Sequence, residues 1–227
     1  TNAQKIAAYE KKYGKEVYQQ ALSQINDHIG GSVLDLYTVG KLSGLTEVLF
    51  IERCIRLLKP GGRLGIVLPE GVLNNTNLQT VRELFEGMAK IILITSIPQD
   101  VFMASGATVK PSLLFFKKFT AEERAQFDAI KQAATEEVEA KYQSQLDEID
   151  SFLAERGNPA EEKKVKRAER RALETKIAAE IWAIVKEKFD YTITIAQVEK
   201  AGITTTGAEC ENQLIDLLKE FTPYRKE

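Results

Sequence analysis

The chain has 227 residues, of which 44% are hydrophobic and 28% are charged, and its formal net charge is −2. This length and composition suffice for one or two domains with a real hydrophobic core. The charge excludes a globally basic surface for nucleic acid but leaves room for a local basic patch.

Cysteine, histidine and apolar content narrow the chemistry further. Cys54 and Cys210 form no motif, so we expect reduced structural thiols in a cytoplasmic protein. His28 is the only histidine, which argues against a zinc site or a Ser-His-Asp triad, and we expect it at a helix end before Gly30. No run reaches the roughly 18 apolar residues of a membrane span, and no signal peptide opens the chain.

The first 44 residues predict an N-terminal helical segment (1–44). Its apolar side chains recur at helical spacing and Gly14 is a weak point within them; the stripe comprises Ile6, Tyr9, Tyr13, Val17, Leu22, Ile25 and Ile29. Residues 32–41 give no clear prediction.

Residues 45–119 predict a small α/β domain. A helix over 45–58 has apolar residues on more than one stripe, so we expect it to be buried on most sides. Pro60 and the two glycines after it predict a tight turn. The run 63–69 does not alternate between polar and apolar residues, which favours a strand covered on both faces, as in a parallel sheet.

Three further elements complete that domain. A short amphipathic helix is predicted over 81–89, followed by apolar strands over 91–97 and 112–116. We expect three main strands in all, the last pair antiparallel. The connection from Pro98 to Lys110 is too long for a tight hairpin, and loops of that length often carry function.

Residues 120–190 differ in kind, because they are rich in Ala, Glu, Lys and Arg and predict a helical hairpin. Gly157-Asn158-Pro159 predicts the reversal, with Asn158 as the N-cap of the second helix. Helices of ~30 residues would make an arm ~45 Å long. It could be a coiled-coil arm that reaches a partner protein or DNA, or a hairpin that packs back on the core. Likewise, the basic run 163–171 could touch phosphate or form a solvated, mixed-charge face.

Three segments, in order, resemble the modification subunit of type I restriction-modification systems. They are LLKPGGRLGIVLPEGVL at 57–73, VFMASGATVKPSLLFFKK at 101–118, and FDYTITIAQVEKAGITTTGAECENQLIDLLKEF at 189–221. The resemblance implies an α/β fold, the C-terminal half of a class I (Rossmann-like) methyltransferase sheet with a long helical hairpin arm. It also makes 191–227 the family's C-terminal segment.

The same resemblance implies a function. The family transfers a methyl group from S-adenosylmethionine to adenine N6 in DNA, and it works with a specificity subunit and a restriction subunit. Phe102 stands where related amino-methyltransferases carry an aromatic residue against the flipped base, and Lys110 is a candidate phosphate contact from the same loop. Phe102 could instead be a core residue that anchors the loop.

Two family motifs are missing from these residues. No glycine-rich cofactor loop occurs, and the single Asn-Pro, Asn158-Pro159, is followed by alanine where the Asn-Pro-Pro-aromatic motif requires a second proline. The first residue is threonine. We therefore expect a fragment with no catalytic residue, no methyl transfer and no bound cofactor of its own.

Two other functions stay open. The chain could be a catalytically inert helical interaction module built on a partial methyltransferase fold, or part of a solitary adenine methyltransferase with fused specificity domains. In either case the upstream strands are not among these residues, so an apolar sheet surface is left uncovered. We expect the chain to self-associate or to bury that surface with its own N-terminal helix.

Overall fold

The computed structural model describes residues 2–222 and shows an α/β fold with one mixed sheet and one two-stranded sheet. Short 3-10 helices lie at Val33–Leu36, Val39–Lys41, Thr76–Leu78 and Gln99–Ser105. The helices and strands, in chain order, are α1 (Asn2–Tyr13), α2 (Lys15–Asn26), α3 (Thr46–Leu57), β1 (Arg63–Pro69), α4 (Gly71–Asn74), α5 (Gln79–Glu86), β2 (Ala89–Ser96), β3 (Pro111–Lys118), α6 (Ala121–Ala154), α7 (Ala160–Lys188), β4 (Thr194–Gln197), β5 (Ala201–Ile203), β6 (Glu209–Asn212) and α8 (Leu214–Phe221).

The N-terminal segment is helical as predicted, and Gly14 divides it into α1 and α2. Gly14 has a φ of 89°, which a side chain would strain. The two helices pack on each other, and the ring of Tyr9 stacks on Tyr13 and Tyr18 with centroids 6.1 Å away in both cases. Neither helix has a buried residue, so of the two predicted outcomes for the uncovered sheet surface, burial by this segment is not what the structure shows.

The main sheet has the strand order β1-β3-β2-β4. The three predicted strands are present and β2 pairs antiparallel with β3, as expected, while β4 adds a fourth strand parallel to β2. β1 also runs antiparallel to β3, so the β1–β3 pair is not the parallel pairing that its composition suggested. Among the described residues β1 has a neighbour on one side only, which leaves its other edge open.

One face of the sheet packs on α3 and α5 to form the main core. Val48, Ile51 and Ile55 of α3 contribute to it, together with Phe85 of α5 and Phe116 of β3. The prediction that α3 is buried on most sides is wrong, because Phe50 and Leu57 on its outer side are 58% and 69% exposed. The helix predicted over 81–89 ends earlier, at Glu86, since Ala89 already belongs to β2.

β1 is covered on one face only, contrary to the prediction. Leu64, Ile66 and Leu68 point towards the core, whereas Gly65 is exposed and Val67 is 47% exposed. The sequence of β1 is apolar on both sides, but on its second side the described residues supply only α8, which lies across a cavity that Gly65 lines.

Residues 120–190 form the predicted hairpin of α6 and α7. The turn differs in detail, since Pro159 rather than Asn158 occupies the N-cap position of α7. Asn158 instead donates hydrogen bonds from Nδ2 to the Phe152 carbonyl at 2.8 Å and to Glu155 at 3.2 Å. No helix within residues 2–222 is long and apolar enough to cross a membrane.

Candidate functional site

The candidate site lies at the edge of the main sheet that is formed by the ends of its strands, not at the open side of β1. β1 and β2 both run antiparallel to β3, and β4 runs parallel to β2, so the carboxyl ends of β1, β2 and β4 meet at this edge. Ligands of open α/β sheets bind at the carboxyl ends of the strands. The loops that follow β1 and β2, and the residue that precedes β3, are therefore the places to look for functional side chains.

Phe102 lies at this edge, in the 3-10 helix that follows β2. Its side chain is 37% exposed, and that of Met103 beside it is 40% exposed. The Phe102 carbonyl accepts hydrogen bonds from Ser105 Oγ at 2.8 Å and from the Ala107 amide at 3.1 Å, and Gly106 with a φ of 87° reverses the chain. The loop backbone is thus held by its own hydrogen bonds while the ring stays partly in solvent.

Lys110 lies at the same edge, beside the loop that follows β1. Its Nζ is 3.2 Å from Oε2 of Glu70, and the Glu70 amide donates a hydrogen bond to the Lys110 carbonyl at 2.9 Å. Both side chains are partly exposed, at 44% for Lys110 and 33% for Glu70. An ion pair of this kind is weak, so Glu70 and a phosphate could compete for Lys110.

The β5–β6 hairpin packs against the Phe102 loop. Gly207, with a φ of 85°, lies so close that a Cβ there would stand 3.4 Å from Cβ of Ala104. The side-chain oxygen of Gln213 accepts hydrogen bonds from the Glu199 and Lys200 amides, at 2.8 and 3.2 Å, and so joins the end of β4 to the start of α8. The family-like C-terminal segment therefore buttresses the loop that carries Phe102.

The sequence analysis did not identify a buried carboxylate in α3. Glu52 is 0% exposed, and its two oxygens accept hydrogen bonds from the amides of Thr38 and Val39 at 2.9 and 2.8 Å. Arg56, one turn later, lies 2.5 Å from Glu52 and donates to the Thr38 hydroxyl at 2.7 Å. Glu52 fixes the 3-10 segment before α3 and lies in the core, so its role is structural.

A cavity of about 440 Å³ separates the second face of the sheet from α8. Its walls are mostly apolar and include Leu93, Phe115, Leu217 and Phe221. Thr95 also lines it, and within the described residues the buried Thr95 hydroxyl has no hydrogen-bond partner. Among the described helices, only α8 lines this cavity, and it covers the second face of the sheet incompletely.

The comparisons with known proteins identify the family. The N-6 DNA methylase model matches residues 42–165, which is more than half of the chain. The chain belongs to the N-6 DNA methylase family. The match includes α3, the strands β1 to β3, the Phe102 loop and α6, and it ends in the first turns of α7.

Other comparisons add little to the N-6 DNA methylase assignment. No curated protein matches the chain. A solved structure described as a class I S-adenosylmethionine-dependent methyltransferase from Listeria monocytogenes is 24% identical, over 39% of this chain and 27% of its own, with a TM-score of 0.34. The chain thus spans about a quarter of the length of that protein.

The described loops do not fit a cofactor of the S-adenosylmethionine type. β1 is followed by Glu70, Gly71 and a helix of four residues, and β2 is followed by Pro98 and a 3-10 helix. Neither loop provides the row of backbone amides, at the start of a long helix, that binds a nucleotide-like group. Within residues 2–222, no group of three His, Cys, Asp or Glu side chains is placed to hold a metal ion either.

Proposed function

We propose that the chain is the C-terminal part of the modification subunit of a type I restriction-modification system, a DNA adenine-N6 methyltransferase. The observation that carries the proposal is the N-6 DNA methylase match over residues 42–165. The order of the three family-like segments supports the finer assignment. So does their arrangement: the first segment provides Glu70, the second Phe102 and Lys110, and the third packs on the Phe102 loop.

This edge of the sheet would bind the target nucleotide. Adenine N6 is inaccessible inside a duplex, so such an enzyme rotates the base out of the stack into a pocket. Phe102 offers one aromatic face for that base, and Lys110 offers a cation for a flanking phosphate after it leaves Glu70. S-adenosylmethionine, bound elsewhere in the intact protein, supplies the methyl group.

The intact protein would act in the cytoplasm on DNA, together with a specificity subunit and in some assemblies a restriction subunit. In that protein these residues would position DNA, and residues outside them would bind the cofactor.

The long projecting hairpin gives some support to a different function, that of an inert interaction module. The intact gene separates these functions. A glycine-rich loop and an Asn-Pro-Pro-aromatic motif within roughly 200 residues upstream of Thr1 would favour the enzyme, whereas a start codon near Thr1 would favour the module.

A pair of assays tests the enzyme directly. We expect the 227-residue chain to transfer no methyl group and to bind S-adenosylmethionine weakly or not at all, because its loops lack the cofactor motifs. The intact protein with its specificity subunit should methylate adenine N6 in duplex DNA. Isothermal titration and methyl-transfer assays measure both. Micromolar cofactor binding by the chain would contradict the first expectation, and an intact protein that leaves adenine unmodified would contradict the proposed function.

A further inference from the structure

The base of the α6–α7 hairpin packs against the α/β part of the chain, and the rest of the hairpin projects away from it. At its root, the rings of Phe119, Phe127 and Phe189 pack with centroids 5.3–5.4 Å apart, and Lys186 pairs with Glu86 of α5 at 3.2 Å. Farther out, the buried side chains and ion pairs described for residues 138–180 lie within the hairpin, either between α6 and α7 or along α7. With 34 and 29 residues, the helices extend roughly 45–50 Å.

The structure divides the six cations of the basic run 163–171 into two groups. Three have partners inside the hairpin: Lys163 donates to the Glu155 carbonyl, Lys166 pairs with Glu169 at 2.8 Å, and Arg170 pairs with Asp150 at 2.7 Å. The other three, which we call the basic stripe, are Lys164, Arg167 and Arg171. Their side chains are exposed, and within the described residues none of these three side chains forms a hydrogen bond or an ion pair.

The stripe occupies one side of α7. Its members are three and four residues apart, a spacing that places their side chains on one side of a helix within roughly 10 Å along the axis. The exposed positions beside the stripe carry small side chains at Ala168 and Thr175 and acidic side chains at Glu161 and Glu174. Protein interfaces depend on buried aromatic or large apolar anchors, and the stripe provides none. It provides separate positive charges on long side chains.

We propose that the basic stripe binds the phosphate backbone of a nucleic-acid duplex. Lys and Arg neutralise phosphates and release counterions without reading the sequence. The choice of a nucleic acid rests on the proposed function. α6 leaves the sheet after β3, at the edge opposite the Phe102 loop, so the stripe contacts duplex outside the target nucleotide and acts as a second contact.

The salt dependence of duplex binding tests the stripe. The 227-residue chain is titrated against a duplex of arbitrary sequence at several salt concentrations, without cofactor, beside the triple variant Lys164→Gln, Arg167→Gln, Arg171→Gln. The matched control carries Lys5→Gln, Lys11→Gln and Lys15→Gln, which remove the same charge from exposed positions of α1 and α2. Because each lost phosphate contact lowers the slope of log K against log salt by about 0.9, the stripe variant should lose about 2–3 units of slope.

We expect the control to keep most of its slope. Three results would overturn the inference: no duplex binding by the unaltered chain at low salt, equal losses in both triple variants, or binding of poly-glutamate as tight as binding of the duplex. The last result would indicate an acidic protein partner. Far-UV circular dichroism confirms that both variants keep their helices. The assay needs no methyl transfer, so the stripe can fail this test while the proposed function stands. Conversely, the methyl-transfer assay can contradict the proposed function while the stripe still binds duplex.

Discussion

Phe102 shows how one side chain can be tested for function separately from stability. With 37% of its surface exposed, it is not the buried anchor that was one of its two predicted roles. The loop around it is held by hydrogen bonds from the Ser105 hydroxyl and the Ala107 amide to the Phe102 carbonyl, which a truncated ring would leave intact. Its role against a flipped base stays a prediction.

We therefore expect Phe102→Ala to lower methylation by the intact enzyme while changing the melting temperature little. A base stacked on an aromatic ring contributes about 1–3 kcal/mol, and truncating a buried Phe costs about 3–5 kcal/mol of folding stability. Methylation assays and melting curves on the same variant measure the two effects, with Met103→Ala as the control for a neighbouring exposed side chain. A large fall in melting temperature with normal specific activity would contradict the stacking role.

Glu52 shows the opposite case, a charged residue with a structural role that its sequence context hides. It occurs in an apolar helix, one turn before Arg56, where an exposed ion pair is the ordinary expectation. In the structure the carboxylate is buried and satisfies the amides of Thr38 and Val39, which would otherwise be costly to bury. Only the path of the preceding 3-10 segment reveals this.

At the scale of elements, Glu123 joins the arm to the sheet. Its carboxylate accepts a hydrogen bond from the Thr120 amide in the capping box of α6, and it lies 2.7 Å from Nζ of Lys90 and 3.7 Å from Nζ of Lys117. Burial raises the pKa of Glu123, but the hydrogen bonds and charges of its partners outweigh that effect and hold the pKa below its usual value. The folded state therefore favours the charged form.

We expect Glu123→Gln to lower the free energy of unfolding by about 1 kcal/mol at pH 7. A depressed pKa contributes stability above the ordinary glutamate value of 4.5, and that contribution is lost as the pH falls through the lower, folded value. The difference between the two proteins should therefore shrink in acid. Urea unfolding at pH 7 and at about pH 3 measures it, with the exposed Glu139→Gln as control. A difference independent of pH would show that the charge is unimportant.

At the scale of the whole molecule, the uncovered face and open edge of β1 predict association. Val67 is 47% exposed on a strand that has no neighbour on one side among the described residues. The N-terminal helices do not cover this surface, which leaves self-association as the remaining predicted outcome. Exposed apolar edge strands pair with other chains unless a charge or a covering element prevents it.

We expect light scattering to show concentration-dependent association of the chain, and Val67→Lys to reduce it, since lysine on an edge strand opposes pairing. Val109→Lys adds the same charge at a position that is 53% exposed but lies outside the sheet, so it should have little effect. A chain that stays monomeric at high concentration, with β1 open, would contradict the prediction.

The sequence alone determined the local elements, because their signals are local. Hydrophobic periodicity located α3, α5 and the two long helices of the arm, Pro60 and its glycines placed the turn before β1, and the antiparallel pairing of β2 with β3 was anticipated. The motif order indicated the modification subunit of type I systems, and the family match established the broader N-6 DNA methylase family, so the type I assignment stays a proposal.

Tertiary structure alone decided which apolar surfaces are covered and which charges are paired. Periodicity cannot show whether a second layer exists, so β1 and α3 were expected to be more buried than they are. It also missed β4, whose four residues become a strand only beside β2. The sequence shows that Lys110 and the basic run 163–171 are charged. Whether a carboxylate pairs with them depends on residues distant along the chain, such as Glu70 and Asp150. Burial and pairing are properties of the assembled fold, because both depend on what other segments bring into contact.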